Sequence, residues 1–133
     1  MVEGVWKAFS ELRPSLARRG EHFMLFDGRP EHFIVQDGRT VGLIDLHDAK
    51  PSDGGMDLGV FGVLDEGLML NVRAGYACSA EEKKVLEALF PFYVFLRRLA
   101  AAEWHGRFGP GKVADLALRL SIENPWVPSV GSS

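Results

Sequence analysis

The dipeptide Asp37-Gly38 sits between two runs rich in β-branched and aromatic residues, Phe33-Ile34-Val35 and Thr40-Val41-Gly42-Leu43-Ile44. That arrangement is a strong short-range signal for a β-hairpin, because Asp-Gly accepts the left-handed backbone of a two-residue turn. A hairpin returns the chain to where it entered. Asp27, in the loop before the first run, and Asp45, after the second, are therefore expected at the same end of a small sheet, with His32 at the hairpin's entrance beside them. Carboxylates converging with a ligand-type side chain suit a divalent cation or a phosphoryl-transfer site.

The rest of the chain reads as a helical body. Val5, Trp6, Phe9, Leu12 and Leu16 recur at three- and four-residue spacings over 2–19, with Lys7, Glu11, Arg18 and Arg19 on the wetter side and Gly20 as the end. Pro14 is expected to kink or split this helix near Arg13. A short strand over 22–26 leads into Asp27, and Lys50 to Gly55 has loop composition. A helix over 56–63 follows, with Asp57 near its start; after a break at Asp65 to Gly67, a second runs to about Gly75. Ser79 and Glu82 have the spacing of a capping box, so a helix begins at Ala80. Pro91 leaves one kinked helix or two over 80–106, with Trp104 in the apolar pattern and His105 at the surface or as a cap. Gly106 to Gly111 is the next break. A last helix over 112–123 carries Val113, Leu116, Leu120 and Ala117 on one face, until Asn124 to Pro128 stops it. The fold class expected is α+β, mainly helical, with residues 1–128 as a single domain and 129–133 as a flexible tail.

Composition excludes several functions. The 133 residues are 47% hydrophobic and 25% charged, ordinary for a globular domain, and the net charge of −3 gives no electrostatic reason to bind nucleic acid or an anionic membrane. No stretch approaches the roughly 18 to 20 apolar residues of a membrane span, and no leader pattern opens the chain. One cysteine, Cys78, forms no internal disulfide, so a cytoplasmic location is expected.

Several offsets together resemble the catalytic segment of the aminoglycoside phosphotransferase and choline kinase family, itself similar to protein kinases. That family runs His-Gly-Asp, two variable positions, Pro-x-Asn, an apolar strand, a turn, and Ile-Asp-(Phe/Trp)-x-Asp-Ala. Here Asp27 falls on the catalytic-loop Asp, Pro30 on the loop Pro, His32 on the Asn, and Asp45 in Ile44-Asp45-Leu46-His47-Asp48-Ala49 on the metal-binding Asp. Gly55-Met56-Asp57-Leu58 is similar to the family's Ala-Tyr-Asp-Leu, whose Asp caps a helix and steadies the catalytic loop. The resemblance covers a kinase-like carboxyl-terminal lobe and implies Asp27 as the catalytic base, Asp45 and His32 at the metal, and Pro30, Asp48 and Asp57 as supporting residues. Mg²⁺ and ATP are the implied cofactors, with a small-molecule hydroxyl as acceptor.

Two departures redirect that expectation. His-Gly is replaced by Leu25-Phe26, and His32 replaces the Asn, either as an imidazole ligand, which suits a transition metal better than Mg²⁺, or, the reading favoured here, as a hydrogen-bonding residue that fixes the loop. No Gly-rich strand-turn-strand or strand Lys precedes Asp27, so the nucleotide-binding lobe is expected to be missing. Three functions remain open: a phosphotransferase lobe inactive as an isolated chain, a pseudokinase-type binding or interaction module, and a metal site on Asp27, His32 and Asp45, to which His47 could add. The apolar residues around the hairpin and on the first helix, Trp6 and Phe9 among them, further predict a homodimer, or a complex with a separate lobe-like protein, using the first helix or the hairpin edge. The alternative is that the first helix folds back on its own chain.

Overall fold

A computed structural model describes residues 2–123, apart from the side chains of Val2 and Glu66. The expected stop at Asn124 to Pro128 and the tail 129–133 lie outside the described residues.

The protein is α+β and mainly helical. Its elements are α1 (Val2–Ala17), β1 (His22–Met24), a one-turn 3-10 helix (Pro30–His32), β2 (Phe33–Gln36), β3 (Arg39–Leu43), β4 (Lys50–Ser52), α2 (Gly55–Leu64), α3 (Glu66–Gly75), α4 (Ala80–Phe108) and α5 (Gly111–Ile122). The long α4 is the spine. It starts at the expected capping box, Ser79 and Glu82 each bonding the other's backbone N–H. It then runs unbroken through Pro91 and past Gly106, as α1 runs through Pro14, so neither proline divides its helix. A proline removes one N–H and strains one turn; burial of Leu86, Leu89, Phe92, Tyr93, Val94 and Phe95 on both sides of Pro91 outweighs that loss.

Helix α2 lies directly on α4. A Cβ on Gly55 would come within 2.7 Å of Leu86, and one on Gly59 within 2.9 Å of the Tyr93 carbonyl group. A Cβ on Gly62 would come within 2.8 Å of Phe90 and Val94. These glycines, four and three residues apart, form one face of the helix and let the backbones approach. Helix α1 folds back on the same core: Val5, Phe9, Leu12 and Leu16 pack against it, with the Phe9 and Phe92 rings 5.9 Å apart. Arg19, expected on the wet side, is buried. On α5 the buried residues are Ala117 and Ser121, while Val113 and Leu116 remain 39% and 55% exposed. The buried face is therefore rotated from the one its apolar spacing predicted.

The strands form two short antiparallel pairs. Strand β1 pairs with β4, His22 opposite Ser52 and Met24 opposite Lys50, so the stretch expected as a loop is a strand. Strands β2 and β3 make the hairpin, Phe33 opposite Leu43 and Gln36 opposite Arg39, with an irregularity between Ile34 and Val35. Asp37 and Gly38 both take positive φ, 50° and 72°, as a two-residue hairpin turn of this kind requires.

Candidate functional site

The site begins with Asp57, in the first turn of α2. Its carboxylate accepts the backbone N–H groups of Leu25 at 2.8 Å and Phe26 at 2.9 Å. Asp57 does not cap its helix; it reaches across to the loop after β1. Phe26 needs that support, since its φ of 68° is strained for a bulky side chain, at a cost of order 1–3 kcal/mol. Cations flank its ring, with Lys50 Nζ 4.1 Å and the Arg97 guanidinium carbon 5.1 Å from the ring centre. Burial pushes the Asp57 carboxyl above its ordinary range, and the two backbone bonds and the charge of Arg97 only partly offset this.

Fixing Phe26 fixes Asp27. One Asp27 oxygen lies 3.2 Å from Arg29 Nη2, the other 3.7 Å from Arg97 Nη2. Arg97, on α4, is largely buried, which lowers its pKa against the opposing pull of Asp27 and Asp57.

Pro30 opens the one-turn helix that buries His32. The His32 carbonyl accepts the N–H of Ile44 at 2.9 Å, tying the two ends of the hairpin together. His32 Nε2 lies 3.5 Å from Asp45 Oδ2 and 3.4 Å from Arg29 Nη2. Asp45, at φ 60°, also meets His47 Nδ1 at 2.5 Å, and His47 Nε2 is 3.3 Å from Asp48 Oδ2. The structure thus brings Asp27, His32 and Asp45 to one end of the hairpin, as expected, but as a row with Arg29 between Asp27 and His32.

That row does not fit a divalent cation. Arg29 puts a permanent positive charge against the imidazole nitrogen that would have to ligate, and a guanidinium has only donors to offer. Among the described residues no group of three or more His, Cys, Asp or Glu side chains is arranged to hold a metal ion. Asp45 and His32 meet each other without forming the expected ligand set.

Beside the row lies a cleft of about 600 Å³. It is lined by Asp27 and Arg29 of the loop after β1, by Val60 and Val63 of α2, and by Arg97 and Trp104 of α4, among others. Trp104, expected in the core, is 53% exposed at its rim. His105 also lines the cleft, with its Nδ1 buried rather than at the surface. The volume suits a small molecule, and a largely apolar lining with a few charged groups is the usual composition of such sites.

Sequence reasoning missed the network around Asp53. Asp53 accepts from Arg19 Nε at 3.1 Å, from the Gly55 N–H at 3.0 Å and from the Tyr93 hydroxyl. Burial and the hydrogen bond to Asp53 push the Tyr93 phenol well above its ordinary value. Burial alone would lower Arg19, but the charge and hydrogen bond of Asp53 carry it above its usual value. The available signal was Asp53 two residues ahead of the α2 start, where an Asx turn bonds the backbone.

No family model, curated protein or solved structure matches the chain. No helix among the described residues is long and apolar enough to cross a membrane.

Proposed function

We propose that this chain is a kinase-like carboxyl-terminal lobe that keeps the scaffold of a catalytic loop and works as a pseudokinase-type binding module, taking a small molecule in the cleft beside Asp27. The observation that carries the reading is the pair of bonds from Leu25 and Phe26 N–H to Asp57. A carboxylate from the following helix that holds the residues just before Asp27 is the role the resemblance implies for this Asp, and it fixes a strained loop that nothing in a mere strand connection requires.

The chemistry around that scaffold argues for binding over transfer. A general base must reach the acceptor proton, whereas both Asp27 oxygens face guanidinium groups. Arg29 stands where a cation bound to His32 and Asp45 would need negative or neutral donors. Phosphoryl transfer depends on positioning and charge neutralisation of the phosphates, and these 133 residues hold no Gly-rich loop and strand Lys for that task. We place the module in the cytoplasm, where a lone half-buried Cys78 suits reducing conditions.

The test is thermal unfolding with ATP, ADP and a non-hydrolysable analogue, with and without Mg²⁺ or Mn²⁺. A ligand that binds only the native state at 100 times its Kd adds about 2.7 kcal/mol of stability. No metal-dependent nucleotide stabilisation is expected. A metal-dependent gain with ATP that Asp45→Ala abolishes would overturn the binding-module reading and restore the enzyme.

A further inference from the structure

The charges that line the cleft are not matched alike. Asp48 and Glu103 each face a partner of their own, His47 Nε2 at 3.3 Å and Arg107 Nε, and their side chains are 48% and 57% exposed, so water solvates what those partners leave. Asp27 has a guanidinium towards each oxygen, Arg29 at 3.2 Å and Arg97 at 3.7 Å. Arg97 is the exception. Its side chain is only 17% exposed, yet the Asp27 oxygen stands beyond hydrogen-bond distance, and among the described residues its guanidinium makes no hydrogen bond. A guanidinium has five N–H donors and no acceptor, and its strongest partners are charged oxygens that take two donors at once. The Phe26 ring lies 5.1 Å from its central carbon and limits how the planar group can turn. Arg29 on the same carboxylate, and Lys50 with Nζ 4.1 Å from the centre of the same ring, make three cations around one carboxylate.

Resting on the reading of the cleft as a small-molecule site, we propose that its ligand is an organic oxyanion, with a carboxylate or phosphate head on the unused N–H groups of Arg97, aided by Arg29, and an apolar body along Val60, Val63 and Trp104. The head needs no metal, because the guanidinium groups supply both the charge and the directed donors. Asp27 stays where it is, as the group that holds two mutually repelling arginines at one place. A cationic ligand would meet the opposite arrangement. Asp27 is the least exposed of the three lining carboxylates, at 32%, and a cation approaching it runs against Arg29 and Arg97 first. The apolar residues beside Arg97 favour a head with a hydrophobic body over a bare inorganic anion, since burying that body against them removes apolar surface from water.

NMR titration of the full chain in metal-free, phosphate-free buffer reads the outcome, with benzoate, phenyl phosphate, benzyl alcohol and benzylammonium as probes and inorganic phosphate as the bare anion. Benzoate or phenyl phosphate is expected to move the Arg97 Nε–H and Trp104 indole N–H signals, the two distinguishing a carboxylate from a phosphate head, while benzylammonium leaves them in place. Arg97→Gln is expected to weaken the bound anion by at least about tenfold, and the more exposed Arg29→Gln by roughly threefold with circular dichroism unchanged. Should Arg97→Gln fail to fold, Arg29→Gln and the comparison of probes on the wild type still carry the test. Inorganic phosphate binding as tightly as phenyl phosphate overturns the organic ligand. Benzyl alcohol or benzylammonium moving the two signals where the anions do not overturns the oxyanion and leaves the cleft as a small-molecule site. Signals that stay unmoved by every probe at millimolar concentration overturn both readings.

Discussion

Gly59→Ala is a sharp test of how the site is held, because two effects of known size oppose each other there. In an unhindered helix, alanine in place of glycine adds up to about 1 kcal/mol of stability. At Gly59 the new Cβ would sit 2.9 Å from the carbonyl carbon and oxygen of Tyr93, against the 3.4–4 Å of ordinary contact. The obstacle is backbone inside a buried helix, so it cannot rotate away, and α2 and α4 must part by about 0.5 Å or more. Overpacking of this kind costs about 1–3 kcal/mol, and a rigid neighbour puts it at the upper end. The net is a destabilisation of about 1–2 kcal/mol, which for a domain of this size lowers Tm by roughly 4–10 °C. Because α2 also carries Asp57, the same displacement loosens the loop at Phe26. Gly106→Ala is the control, since nothing lies within 4 Å of its Cβ position, and it is expected to gain up to about 1 kcal/mol. Urea unfolding followed by circular dichroism measures both. A Gly59→Ala protein as stable as the wild type refutes the close backbone contact.

Two further outcomes follow from the charges of the site. Burial raises the folded-state pKa of Asp57 above its ordinary 3.8, so the stability it contributes is complete below that value and is lost as pH rises through the raised one. The stability of the wild type minus that of Asp57→Asn is therefore expected to fall as pH rises through this window and then level off; urea unfolding across the acid range measures it, and a difference that rises with pH contradicts the burial. Arg29→Ala removes the guanidinium 3.4 Å from His32 Nε2 and is expected to raise affinity for Zn²⁺ by at least about tenfold, measured by calorimetry. Unchanged affinity shows that something other than this charge keeps the metal out.

What could be read from the sequence was whatever local chemistry decides. The Asp37-Gly38 turn, the Ser79 capping box and the position of α2 depend on residues close in the chain, and each appears where its pattern placed it. Pro14 and Pro91 left a kinked or a divided helix open in each case, and α1 and α4 each continue as one helix while apolar side chains on both flanks pack into one core. The errors fall where a distant contact overrides local preference. Arg19 looked solvated until Asp53, from beyond the hairpin, gave it a partner. Strand β4 has loop composition and is a strand only because β1 lies beside it. On α5, the close approach to α4 selects the small residues Ala117 and Ser121 over the larger Val113 and Leu116. The glycines of α2 carried a legible spacing, but only the presence of Tyr93 and Phe90 opposite them gives that spacing its meaning.

The site is therefore built from the helices outward. Glycine contacts set α2 against α4, which fixes where Asp57 stands; Asp57 fixes the backbone of Leu25 and Phe26. Arg97, from α4, then lies near the Phe26 ring and within reach of Asp27. Each step uses a buried or half-buried group, so the strain at Phe26 is over-determined by its surroundings, the condition under which such strain persists. The hairpin contributes least to this chain of constraints. It supplies His32 and Asp45 at its base, while its tip and edges answer to nothing else described in the molecule. The rigid helix pair lines the cleft with residues of α2 and α4, whereas β2 and β3 pair only with each other among the described residues.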